Sequence, residues 1–208
     1  MKKMLMMGLC AVLSFTALGT QQIPDEIIFE GKNYKLHDSF LFLPMESYFL
    51  KHPDKMPNSF KTSWCTALHR RHVATFEIKD DLLYLTDIKV IAGLNNSSRE
   101  FKWKSVLKDV FPRQKVVKMD WMTGLLLLWD EKAYHVHFVL EFDKGKLTKV
   151  KPYDNKKDGY ARDFIDRQFE AFKKTDGYEA KKVEMQKIET PYVIDYLLRS
   201  EIPKIFVD

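Results

Sequence analysis

In Gly124-Leu125-Leu126-Leu127-Leu128-Trp129-Asp130, "GLLLLWD", Leu125 to Trp129 is an unbroken apolar run bounded by Gly124 and Asp130. A strand with one wet face alternates apolar and polar side chains, so this short unbroken run reads as a central strand covered on both sides. The rest of the chain must then supply apolar cover for two faces.

The next stretch, Tyr134 to Phe142, "YHVHFVLEF", has the alternation the first one lacks. Tyr134, Val136, Phe138, Leu140 and Phe142 are expected on a buried face, with His135, His137, Val139 and Glu141 on the opposite, polar face. Asp143-Lys144-Gly145 turns this strand back into Lys146 to Lys151. Upstream, His72 to Lys79 and Leu82 to Ile91 read as two strands joined through Asp80-Asp81, with Ala74, Phe76 and Ile78 buried. Glu26 to Glu30 and Asn33 to Leu36 flank Gly31-Lys32 as an opening hairpin. Asp38 to Pro57 carries three prolines and no clear period, and is read as loop with one helical turn.

Helical signals lie elsewhere. Ser97 and Glu100 form a capping box ahead of Trp103, Val106, Leu107, Val110 and Phe111 at helical spacing, with Pro112 as the stop. From Gly159 onward Ala161, Phe164, Ile165, Phe169 and Phe172 make an apolar stripe, with Gly177 as its C-terminal signal. Thr190 and Pro191 open a last helix whose inner face is Val193, Ile194, Leu197 and Leu198. The expected fold is α+β, a mainly antiparallel sheet of about six to seven strands packed by about three helices.

At the N-terminus, Met1-Lys2-Lys3-Met4 runs into "LMMGLCAVLSFTALG", Leu5 to Gly19. That apolar stretch is shorter than the roughly twenty residues a spanning helix needs, and Ala17-Leu18-Gly19 ends it with small residues, so residues 1–19 read as a signal peptide. Cys10 follows Leu9 inside the apolar run, which does not suit a lipidation signal. The protein is therefore expected to be exported, periplasmic or secreted, with no transmembrane segment after cleavage, and residues 20–208 are expected to form one globular domain. Loss of Lys2 and Lys3 lowers the formal charge from +5 to +3. Acids and bases alternate along much of the chain, which argues against a nucleic-acid partner. Cys65 is the one cysteine left after the leader, so an internal disulfide is excluded and stability must come from a core.

The order of residues in "LHRRHVATFEIKDDLLYLTDI", Leu68 to Ile88, and "VFPRQKVVKMDWMTGLLLL", Val110 to Leu128, resembles a loose family of uncharacterised bacterial proteins. Arg70, Ala74, Phe76, Glu77, Ile78, Leu83, Tyr84, Leu85, Phe111, Pro112, Asp120, Trp121 and Gly124 carry the resemblance. His69, Arg71, His72 and Asp81 depart from it, standing where the pattern has an aromatic residue, Gly, Tyr and Gly. Both histidines of "HRRH" thus occupy places of packed rings, which favours packing with a hydrogen bond over metal ligation. The resemblance implies no reaction and no cofactor.

Few chemical constellations remain. His135 and His137 could form a His-x-His pair for zinc, given a third ligand. Cys65 with His69 could be a thiol and its base, but a structural thiol explains Cys65 as well. There is no Gly-rich phosphate loop, no nucleophile elbow and no His-Glu-x-x-His. Arg70 could hold a carboxylate or pair with Asp120, and Asp120-Trp121 could line a cleft, so these three are the candidate ligand-binding residues. The tail Ile202 to Asp208, "IPKIFVD", is apolar enough to dock on a partner. No catalytic residue stands out, and the expected role is a binding or interaction module for a protein or small ligand. The alternatives are a metal-dependent hydrolase using His135 and His137, or an immunity or inhibitor protein for a secreted toxin.

Overall fold

The structure, a computed structural model, describes residues 22–36, 41, 43–63, 65–95, 100–130, 135–187 and 191–207, with the backbone alone at 135, 191–193 and 196. The expected leader, residues 1–19, lies outside them.

The opening hairpin forms as β1 (Glu26–Phe29) and β2 (Lys32–Leu36). Its turn residues are Glu30 and Gly31, both at positive φ, one position earlier than expected. Where a loop was expected, α1 (Pro44–Lys51) buries Met45 and Phe49. The prolines bracket this helix, since Pro44 sits at its first position and Pro53 follows its end. Glu46 reaches back to accept the Leu43 N-H at 2.9 Å. β3 (Val73–Lys79) and β4 (Leu82–Leu94) turn through Asp80 and Asp81 at φ 51° and 59°.

The helix expected after Ser97 is mostly a strand, β5 (Phe101–Ser105), followed by the single turn of α2 (Leu107–Val110). Ser97 itself lies outside the described residues. Phe101-Lys102-Trp103-Lys104 alternates with period two, and the long β4 offers it an edge. The helical spacing was genuine only for Val106, Leu107 and Val110, which are buried.

Next come β6 (Val117–Lys118), β7 (Gly124–Asp130), β8 (His135–Asp143) and β9 (Lys146–Pro152). The chain ends in α3 (Asn155–Asp158), α4 (Ala161–Phe172), α5 (Asp176–Met185) and α6 (Pro191–Arg199). The fold is α+β with a mostly antiparallel sheet, but it has nine strands and six helices among the described residues, more than expected. Of the extra strands, β5 comes from the segment read as helix and β6 from the stretch after Pro112, to which no element was assigned. Gly177 is not a stop: it lies in the first turn of α5, which Thr175 caps through its side chain. Ile194, Leu197 and Leu198 of α6 are buried as the stripe required.

The strand order β3-β1-β2-β7-β8-β9-β4 returns to its start, because β4 pairs with β3 along its length and meets β9 at Leu82↔Lys146. The sheet is therefore a closed barrel, with β1 and β3 as a parallel pair. "GLLLLWD" shows what closure demands. Leu126 and Leu128 point into the barrel, among Ile27, Phe76, Leu85, Leu140 and Phe142. Leu125 and Leu127 point outward, under Phe164, Ile165, Phe169 and Phe172 of α4.

β8 does not have the polar face expected of it. A bulge at His137, where Val136 and Phe138 oppose the consecutive residues Trp129 and Leu128, switches the alternation. Val136 and Val139 join the outer core while Leu140 and Phe142 stay inside, and Val139 is fully buried. Tyr134 lies outside the described residues. The apolar tail is likewise used within the chain. The Ile205 N-H donates to Glu141 Oε2 at 2.7 Å, Gln168 bonds the backbone of Phe206 and Val207, and the Phe206 ring stacks on Phe172 at 5.9 Å.

Candidate functional site

A turn between β6 and β7 places Asp120 and Trp121 at its corners, closed by the Met122 N-H on the Met119 carbonyl at 3.0 Å. Gly145, in the β8–β9 turn, lies against this turn and donates to the Met122 carbonyl at 2.7 Å. A Cβ on Gly145 would sit 2.4 Å from the Met119 oxygen, and φ is +75°, so this close approach requires glycine. On the other side, a Cβ on Gly124 would sit 2.8 Å from the Ser200 oxygen. These two glycines let the end of α6 and the β8–β9 turn close around the start of β7.

The result is a cleft lined by Tyr48, Lys51 and His52 of α1 and its C-cap, by Trp121 and Met122, and by Glu201. Its ring system is continuous. Trp121 stacks on Phe111 at 6.0 Å and meets Tyr48 at 5.0 Å, and Tyr48 meets His52 at 4.7 Å. Although its ring is held on two sides, Trp121 stays 37% exposed. Burial, then Asp54, raises the Tyr48 pKa above the usual phenol value, so the ring is neutral at physiological pH. The cleft holds about 90 Å³, a few waters' worth and well short of a drug-sized pocket. It suits one flat group.

At its inner wall, Glu201 accepts from Lys51 Nζ at 2.8 Å and from Lys181 Nζ at 2.5 Å. Burial opposes the Glu201 charge, but the attraction of Lys181 and Lys51 outweighs it and holds the carboxyl below the ordinary value. A carboxylate so clamped is a poor general acid or base at neutral pH.

The three candidate ligand-binding residues fall in different settings. Trp121 forms the rim of the cleft, and Asp120 is exposed beside it. Arg70 has a side chain only 6% exposed, and its guanidinium lies 3.0 Å from Asp25 Oδ1, so its internal partner is Asp25 and not Asp120. His72 stacks on Phe60 at 5.0 Å and bonds the Arg70 carbonyl through Nδ1 at 2.8 Å, in keeping with a packed ring. Burial lowers its pKa, against the pull of Asp25. His69 is exposed, and Cys65 is half-buried.

His137 Nε2 lies 3.9 Å from Asp130 Oδ2, and its ring is 6.3 Å from Tyr34. The His135 side chain is outside the described residues. Among those described, no three His, Cys, Asp or Glu side chains gather in a way that could hold a metal ion.

Tyr48, Lys51, His52 and Glu201 escaped sequence reading. The signal was there for α1, whose Tyr48, Lys51 and His52 are spaced three and four apart on one helical face. No local pattern marks Glu201. Comparison of the chain with family models, curated proteins and solved structures finds no match. No helix among the described residues is long and apolar enough to cross a membrane.

Proposed function

We propose that the protein is an exported binding module without catalysis, and that its cleft receives one flat side chain of a protein partner. One observation carries this reading: Trp121 is rigidly held by Phe111, Tyr48 and the Gly145-braced turn, yet keeps more than a third of its surface in water. An apolar ring fixed and left exposed is the usual anchor of a binding surface, because its burial costs little side-chain entropy. The small volume favours a protruding ring over a whole metabolite, and the tightly paired Glu201 favours recognition over proton transfer.

Binding of synthetic peptides that differ only in one central Phe, Tyr, Trp or Ala tests the reading. Aromatic peptides should bind, and Trp121→Ala should weaken them by about 2 kcal/mol at a temperature where the variant is still fully folded. Equal binding of the Ala peptide, or turnover of any substrate by the purified protein, overturns it. Export is tested separately by sequencing the N-terminus of protein from the native cell envelope, which should begin at Thr20.

A metal-dependent hydrolase using His135 and His137 remains the rival, supported by Asp130 beside His137. Stoichiometric zinc, lost in a His135→Ala, His137→Ala double variant, would establish it.

A further inference from the structure

The mixing of charge that holds along most of the chain breaks down in one window. Residues 101–118 carry Lys102, Lys104, Lys108, Arg113, Lys115 and Lys118 against the single acid Asp109. All six cations are exposed. Among the described residues no ion pair engages Lys102, Lys104, Lys108 or Lys115.

The fold places this window beside an apolar surface. β3 stops pairing with β4 at Val73↔Lys89, and beyond that point β4 continues with β5 as a two-stranded ribbon. Ile91 faces Trp103 and Leu94 faces Phe101 across the ribbon, the register shift between Ile91 and Gly93 keeping both pairs on one side. Phe101 and Trp103 touch edge to face at 5.9 Å. Leu94 is 55% exposed and Trp103 39%. On that side the ribbon borders an open groove of about 460 Å³ lined by Thr86, Asp87, Ser105, Lys108, Gln114 and Lys115. The Asp87 carboxylate is already engaged: Oδ1 accepts from Ser105 Oγ at 2.6 Å and from the Ile88 N-H at 2.9 Å, and Oδ2 lies 3.8 Å from Lys89 Nζ. The net field of the groove is positive.

We propose that this face docks on a bilayer rich in anionic phospholipid. Trp103, Phe101 and Leu94 would lie at headgroup depth, where an indole and its apolar neighbours leave water without leaving the polar zone. Lys108 and Lys115 would flank a lipid phosphate in the groove, whose Thr86 and Ser105 hydroxyls already donate to the Thr75 carbonyl and to Asp87. Charge complementarity alone would also suit a nucleic acid. The exposed aliphatic Leu94 and Val116, at 55% and 50%, favour the bilayer, because an aliphatic side chain gains nothing from a sugar-phosphate backbone.

Co-sedimentation of the full chain tests this, with vesicles of phosphatidylcholine alone and of equal parts phosphatidylcholine and phosphatidylglycerol. The readout is the excess bound to the anionic vesicles, to which a purely apolar anchor contributes nothing. Each cation near an anionic bilayer contributes roughly a fivefold preference, so Lys108→Gln with Lys115→Gln should lower that excess affinity roughly twenty-fivefold. Trp103→Ala should instead weaken binding to both vesicle compositions, and the lysine variants should melt with the parent because the residues changed are exposed. No excess on anionic vesicles, or an excess that Lys108→Gln with Lys115→Gln leaves unchanged, overturns the proposal. Equal loss by the same variants of binding to a single-stranded oligonucleotide, without any vesicle binding, overturns it in favour of nucleic acid.

Discussion

Two carboxylates leave water in the described part of this fold, and it treats them in opposite ways. Asp25 is fully buried; its Oδ1 takes the Ala74 N-H at 2.8 Å and lies 3.0 Å from Arg70, whose Nη2 donates to the Ile23 carbonyl at 2.6 Å. Glu201 has a side chain 10% exposed, and its partners Lys51 and Lys181 are 34% and 29% exposed. A planar guanidinium can be sealed in with its carboxylate because it meets several acceptors at once, whereas an ammonium is strongly hydrated and stays near solvent. The sealed pair locks the segment ahead of β1 to the start of β3. Glu201 with its two lysines ties α1, α5 and the end of α6 together beside the cleft, where water can re-enter if it opens.

That contrast is sharpest on removing one partner. Arg70→Met strands the Asp25 charge where no water reaches it, so the chain should lose about 3–5 kcal/mol in urea denaturation. Adding Asp25→Asn should recover much of that loss, because the stranded charge, rather than the absent attraction, is what costs. An Arg70→Met loss below about 1 kcal/mol would show that Asp25 is hydrated and the comparison false. Glu201→Gln should cost only about 1–2 kcal/mol, since both lysines can turn to solvent.

How far these features could be read from the sequence follows from how local their causes are. The opening hairpin, though its turn falls one residue before the Gly31-Lys32 expected, the Asp80-Asp81 turn, the stripe of α4 and the two-faced Leu125 to Leu128 are written in neighbouring residues. β5 was misread because Trp103, Val106, Leu107 and Val110 satisfy helical spacing, and the edge that turns Phe101 to Ser105 into a strand belongs to β4. Val139 was assigned to water because the bulge at His137 is set by its pairing with β7, and two-fold alternation cannot foresee an inserted residue. The cleft was half visible: Trp121, beside Asp120 ahead of the central strand, was read as lining a cleft, whereas Glu201 acquires its role only through Lys51, distant by 150 residues.

pH separates the two regions further. The Glu201 carboxyl is held below its ordinary 4.5, so its contribution is complete above that value and is lost as pH falls through the lower folded value. His72, beside the sealed pair, has its pKa lowered from 6.5 by burial. The unfolded chain therefore takes up the proton first, and stability should already decline as pH falls below 6.5, before Glu201 begins to titrate. His72→Phe should keep the stack on Phe60 and lose the bond to the Arg70 carbonyl, a change of about 1 kcal/mol at neutral pH, the smallest of the three. It should flatten the stability profile between pH 6.5 and 4.5 and leave the decline below 4.5 in place, whereas Glu201→Gln should do the reverse. If His72→Phe has the same slope as the parent between those values, His72 is protonated inside the fold, and the sealed region is wetter than its geometry implies.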